Sequence, residues 1–221
     1  LDQIRASGYS VAMRRVLSGC SMLWLLAALA ACSRPAPAKD TLTVLLAFDV
    51  LSLDPNRSVE ISTDAVLTSA YEGLVALDEN LRPQPLLAES WEHPTPERWR
   101  FHLRRNLRFP DGTPVTAAMV RDALLRVRDE GGLDASQFLT QAQEIAAPDE
   151  GTVEIATREP RALLSSLAFV YVTKTNAVGA FPPFLGTGPY RLAARVVGQE
   201  IRLARFDGYW GAPPEFGALL M

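Results

Sequence analysis

The chain has 221 residues, with 22 basic against 25 acidic side chains and a formal net charge of −3. That mild acidity excludes a partner gripped through its phosphates, because nucleic-acid binding wants a basic face. The length suffices for one good-sized hydrophobic core or two small ones, and two cysteines, Cys20 and Cys32, are too few for a disulfide framework.

Residues 1–12 precede Met13, the first position that reads as a natural start, and are expected to be an upstream artefact. Arg14 and Arg15 then open an apolar run over 16–31 that contains Ser18, Gly19 and Ser21. Its dense part, Met22 to Ala31, is short beside the roughly 20 apolar residues of a membrane-spanning helix. A basic start, a short apolar stretch and small residues before a cut site describe a secretory signal over 13–31. Leu29-Ala30-Ala31-Cys32 also resembles the lipobox of bacterial lipoproteins, an aliphatic residue and two small ones before cysteine. The resemblance implies that Cys32 takes a diacylglyceryl group on its sulfur and becomes the acylated N-terminus after cleavage. The competing reading is an ordinary signal peptide with a chance cysteine. One acyl chain holds a protein only marginally, and stable attachment takes two signals, which a lipoprotein cysteine supplies. Residues 32–40, with Pro35 and Pro37, read as an extended tether. Cys20 leaves with the signal and lipid occupies Cys32, so the folded part is expected to hold no disulfide.

From residue 41 the elements follow in order. "TLTVLLAF" (41–48) predicts a buried strand, and Asp54-Pro55-Asn56 a turn after it. Val66, Leu67, Ala70, Tyr71 and Leu74 fall three and four apart and predict a helix from Ser62 to Ala76, capped by Ser62 or Thr63. "RWRFHLR" (98–104) alternates, with Trp99, Phe101 and Leu103 inward, and predicts a half-buried antiparallel strand. "FPDGTPV" is a tight turn, and Thr116 caps a second helix, Ala117 to about Arg128, that Gly131-Gly132 ends. Val120, Ala123, Leu124 and Val127 form its inner face. "TVEIAT" (152–157) alternates again, Arg161 to Phe169 reads as a short helix, and 190–206 as a hairpin turning near Gly198. The mixture makes the class α/β, or more loosely α+β.

Candidate chemistry is sparse. His93 precedes a proline and His102 lies on an arginine-lined strand face, so neither is taken as catalytic or metal-binding. No CxxC or HExxH occurs, and no metal site or cofactor is expected. "GTGP" (186–189) has a G-x-G spacing, but proline and a strand pattern follow where a phosphate loop would open a helix, so the glycines serve a turn. Asp111-Gly112 likewise reads as a turn and not as a hydrolase acid. No catalytic residue is assigned, and the chain is not expected to be an enzyme.

The ordered blocks "LDP" (53–55), "YEGLVALDENLRPQPLLAESWE" (71–92), "WRFHLRRNLRFPDGTPVTAAMV" (99–120), "TVEI" (152–155), "GTGPYRL" (186–192) and "LARFDGYWG" (203–211) resemble the family 5 extracellular solute-binding proteins, receptor subunits of ABC importers. The resemblance implies a periplasmic-binding-protein type II-like fold. It implies capture of a small solute (an oligopeptide, a dipeptide or a nickel chelate) and delivery to ABC permease subunits by closure of two lobes. Within each block the residues keep a plain packing sense, and Trp91, Trp99 and Trp210 are expected in the core. In that family the end of the first strand lines the ligand cleft. Carried over, this names Asp49, Val50 and Leu51, with Asp49 either attracting a ligand's amine or cation or standing as a solvated strand end. Family members run to more than twice this length. Residues 41–221 are therefore expected to give an incomplete first lobe, with a small inserted subdomain over about 60–180 and the second lobe absent. The expected location is the cell envelope, in the periplasm or on the outer face of the cytoplasmic membrane, lipid-anchored. The alternative is a lipid-anchored protein-interaction domain with a degenerate cleft.

Overall fold

The computed structural model describes residues 40–221, apart from 58–59, 161–162, 177–178 and 180. The segments expected as artefact, signal and most of the tether lie outside the described residues, and Cys32 with them.

The first strand is shorter than its composition suggests. β1 covers only Thr41–Thr43 and pairs in parallel with β12 (Ala218–Leu220), Thr41 opposite Ala218. Val44 N–H still reaches the Leu220 carbonyl, 2.8 Å away, and there the ladder ends. The apolar residues beyond it are consequently not buried: Leu45 is 94% and Phe48 71% exposed.

α1 spans Ile61–Leu67, and its cap is neither Ser62 nor Thr63. Glu60 does the capping; its two carboxylate oxygens accept the Ser62 and Thr63 N–H groups, both at 2.8 Å. Nor does the helix reach Ala76. The chain opens after Leu67, Gly73 bridges to Tyr171, and Val75–Leu77 is strand β2, paired with β3 (Pro83–Pro85). All five apolar residues of the expected helix are buried, but they serve two cores. Val66, Leu67, Ala70 and Tyr71 enter one, Leu74 the other. Helical spacing and a bent extended run that changes cores cannot be told apart from such a short pattern.

The middle of the chain follows its sequence closely. β4 (Ala88–Thr95), β5 (Arg98–Leu103), β6 (Ala142–Ala146) and β7 (Thr152–Thr157) form an antiparallel sheet in the order β4-β5-β7-β6. Trp99, Phe101 and Leu103 point into the core as their alternation requires. Outward, Glu154 accepts from Arg98 (3.0 Å) and Arg100 (2.7 Å), and Arg100 also reaches Glu92 at 2.8 Å. Pairs this exposed contribute little stability and mainly keep the face in water. α2 (Ala117–Asp129) packs Val120, Ala123, Leu124 and Val127 against this sheet, with the Thr116 hydroxyl accepting the Met119 N–H at 3.4 Å. A 3-10 turn, Asp134–Phe138, follows. α3 is Leu164–Leu167, shorter than expected; the anticipated start at Arg161 lies outside the described residues.

β8 (Lys174–Thr175) and β9 (Phe184–Leu185) pair briefly. β10 (Tyr190–Val196) and β11 (Glu200–Arg205) are the expected hairpin, turning at Gly198 with φ 71°. Such a backbone suits glycine because no Cβ is present to clash. With β12 and β1 they form the second sheet, in the order β1-β12-β11-β10. One core, centred on Phe101, Phe109, Leu124 and Ile155, lies under the antiparallel sheet; the other gathers Val50, Val66, Tyr71, Leu203 and Leu219. The architecture is mixed α/β, with one parallel pair among the described strands and the rest antiparallel.

Candidate functional site

In an open sheet, ligands gather outside the carboxyl ends of parallel strands. β1 and β12 are the parallel pair here, so their carboxyl ends lie at the same edge. A hollow of about 290 Å³ opens there, between the Val44–Asp49 segment on one side and Gly198, Gln199, Glu200, Ile201 and Met221 on the other.

The three residues named for ligand contact part company at this edge. Asp49 is tied down: its carboxylate accepts the Gly198 N–H at 3.0 Å, the Val50 N–H at 2.8 Å and Arg195 Nη2 at 3.3 Å. The Gly198 N–H above all holds this carboxyl below the usual aspartate range, with Val50 N–H and Arg195 helping against the cost of desolvation. Arg195 also donates to the Val50 carbonyl, so the post-β1 segment is fastened to the β10–β11 hairpin. The Val50 side chain is buried in the second core. Leu51 is 70% exposed, with its N–H donated to Thr63 Oγ1 at 3.0 Å. Asp49 thus meets the hollow as a neutralised strut, and Leu45 and Phe48 bring apolar surface to it.

A second feature joins the two cores, and residue spacing alone did not single it out. Glu72 is only 5% exposed. Its Oε1 accepts from the Tyr209 hydroxyl at 2.8 Å, and its Oε2 from Trp210 Nε1 at 2.9 Å and the Thr187 hydroxyl at 3.0 Å. Burial pushes its carboxyl up from the ordinary value of 4.5, against the pull of these three donors and of Arg104. Arg104 lies over the Trp210 ring, 4.5 Å from its centre. Three of the sequence blocks, "YEGL", "GTGP" and "DGYWG", therefore meet on one carboxylate. The available signal was a lone charge inside the apolar run "AYEGLVAL". The glycines around it are steric: a Cβ on Gly73 would sit 2.7 Å from the Val170 carbonyl oxygen, and one on Gly188 2.7 Å from the Ala70 carbonyl carbon.

The remaining candidates have structural partners. Asp111 ends a turn, bonded to the Thr113 N–H at 3.0 Å and to Lys174 Nζ at 2.5 Å. His93 stacks on Trp99 with ring centres 4.2 Å apart. Among the described residues no group of three His, Cys, Asp or Glu is placed to hold a metal ion, and no helix is long and apolar enough to cross a membrane.

Residues 82–220 match the sequence profile of the bacterial extracellular solute-binding proteins, family 5, middle region. The periplasmic oligopeptide-binding protein OppA of Salmonella typhimurium is 30% identical over 220 aligned residues, which cover 84% of this chain and 40% of that protein. The probable D,D-dipeptide-binding periplasmic protein DdpA of Escherichia coli is also 30% identical, across 80% of this chain and 38% of its own. Among solved structures, Burkholderia pseudomallei OppA superposes with a TM-score of 0.73 at 25% identity, over 84% of this chain and 42% of that one. The chain thus spans about two fifths of the length of these relatives. The fold is that of the type II-like periplasmic binding proteins. With the profile matched over most of its length and OppA 30% identical across 84% of it, the chain belongs to the family 5 bacterial extracellular solute-binding proteins.

Proposed function

We propose that this chain is part of the substrate-binding subunit of an ABC importer that captures peptides, or a related small solute, outside the cytoplasmic membrane and hands them to a permease. The observation that carries the reading is the 30% identity with an oligopeptide-binding protein across 84% of the chain. The hollow at the carboxyl ends of β1 and β12 supports it as one wall of a solute cleft. On this reading Val50 and Leu51 shape that wall, and Asp49 sets its form more than it draws a charge. The relatives are binding proteins and not enzymes, and no covalent step is invoked. A thermal-shift screen of the complete gene product against dipeptides, oligopeptides and divalent metal chelates tests the function. Ligand at about 100 times its Kd stabilises a protein by about 2.7 kcal/mol, a readily measured shift. No stabilisation by any member would favour a lipid-anchored interaction domain instead.

Lipid anchoring through Cys32 belongs to the same proposal. Cys32→Ser is expected to abolish incorporation of a radiolabelled fatty acid and to leave the product uncleaved or released. Equal labelling of variant and parent would remove the anchor from the proposal.

A further inference from the structure

Away from the strand-end hollow, a cavity of about 450 Å³ lies among α1, β2 and the segment after α3. That volume falls within the range of small-molecule sites. Its lining is aromatic and acidic: Tyr71, Tyr171, Tyr209 and Phe169 stand around it, with the carboxylates of Asp64 and Glu72. Val75, Leu77, Leu86 and Ala168 supply apolar wall, and no lysine or arginine among the described residues contributes. Glu72 is already saturated by Thr187, Tyr209 and Trp210. Asp64 is not. Its Oδ1 accepts the Tyr171 hydroxyl at 2.5 Å, while its Oδ2 accepts no hydrogen bond among the described residues. The cavity therefore offers a half-used, half-buried carboxylate beside aromatic rings, with no ion-pair partner among the described residues. Aromatic faces attract cations through their quadrupole, and a carboxylate accepts charge-assisted hydrogen bonds from an ammonium group.

We propose that this cavity is a second binding site, for a small organic ammonium ion carrying an aromatic or apolar group, with Asp64 as its anionic anchor. The ammonium would meet Asp64 and the tyrosine rings, and its apolar part the wall formed by Val75, Leu77 and Ala168. The lining of this cavity shares no residue with that of the strand-end hollow.

Calorimetric titration of the purified protein with phenethylammonium, set against the neutral 2-phenylethanol, tests it. The ammonium is expected to bind at least about tenfold more tightly than the alcohol, the scale of one charge-assisted hydrogen bond. Asp64→Asn retains an oxygen to accept the Tyr171 hydroxyl and should erase that preference, while leaving any peptide-induced thermal shift unchanged. Equal binding of the two probes, absence of saturable ammonium binding, or a preference that survives in Asp64→Asn would each overturn the proposal. The comparison of probes on the parent protein stands even if the variant folds poorly.

Discussion

Asp54→Ala is expected to cost about 3 kcal/mol of folding stability, the scale for stranding one member of a buried ion pair. Asp54 is 5% exposed and meets Arg126 end-on, with Nη2 to Oδ1 at 2.9 Å and Nη1 to Oδ2 at 3.0 Å. Its Oδ1 also accepts the Asn56 N–H at 3.1 Å. The partner guanidinium lies 4.8 Å from the centre of the Phe184 ring, and its Nε is buried without an acceptor among the described residues. Truncating Asp54 leaves that cation with only Glu130, an exposed carboxylate 3.0 Å away. Urea titration should show a lower midpoint with an unchanged slope, since surface burial is otherwise retained. Glu130→Ala, removing the exposed pair, should cost under about 1 kcal/mol. Comparable losses for the two variants would show that the Asp54 pair is no stronger than a surface contact.

Glu72→Ala should be of similar size, about 3 kcal/mol, because Thr187, Tyr209 and Trp210 all lose their acceptor at once and each buried orphan costs about 1–3 kcal/mol before relaxation. Glu72→Gln keeps an oxygen and most of the volume, and it separates the hydrogen bonds from the charge. The pH dependence follows from the raised pKa of Glu72. A group whose pKa is higher folded than unfolded stabilises fully below its unfolded value, near 4.5, and loses that contribution as pH rises through the folded value. The parent should therefore lose stability relative to Glu72→Gln as pH climbs above about 4.5. Parallel stability curves for the two proteins across that window would mean that burial of this carboxylate carries no net electrostatic cost.

How legible these features were depends on the range of the forces that set them. Trp99, Phe101 and Leu103 alternate because one face of β5 meets core and the other water, and that contrast is written in adjacent letters. Thr116 and α2 were equally plain, because a cap and an apolar stripe are local. The stretch from Ala70 to Leu74 was not. Its apolar spacing fits a helix, yet the chain extends there because Gly73 lets the Val170 carbonyl approach and because Tyr71 and Leu74 belong to different cores. Leu45 and Phe48 misled for a related reason: β-propensity proposes a strand, but a strand needs a partner, and the pairing stops near Val44. Asp49 was visible as an acid at a strand end, whereas its neutralisation by Arg195 and Gly198 joins positions far apart in the sequence. Glu72 was visible only as an oddity, since its three donors come from two distant loops.

The pairing of β1 with β12 bears on how the chain acquires its shape. The β4-β5-β7-β6 sheet is built from two local hairpins, β4-β5 and β6-β7, joined by the pairing of β5 with β7, Phe101 opposite Val153, so its contacts close shorter loops than β1 does. Among the described residues β1 has no such neighbour. Its ladder partner among them is Ala218–Leu220, the last strand described, and the register Thr41 to Ala218 closes nearly the whole described chain in one step. Closing so long a loop draws its full entropic cost before any contact returns it, and distant pairings of this kind form slowly. During synthesis the first strand leaves the ribosome long before its mate exists. The antiparallel sheet and its core are expected to assemble first and hold the ends near one another, with β1 docking last. The amide proton of Val44, which donates to the Leu220 carbonyl, should accordingly gain protection late in refolding, after those of Phe101 and Ile155.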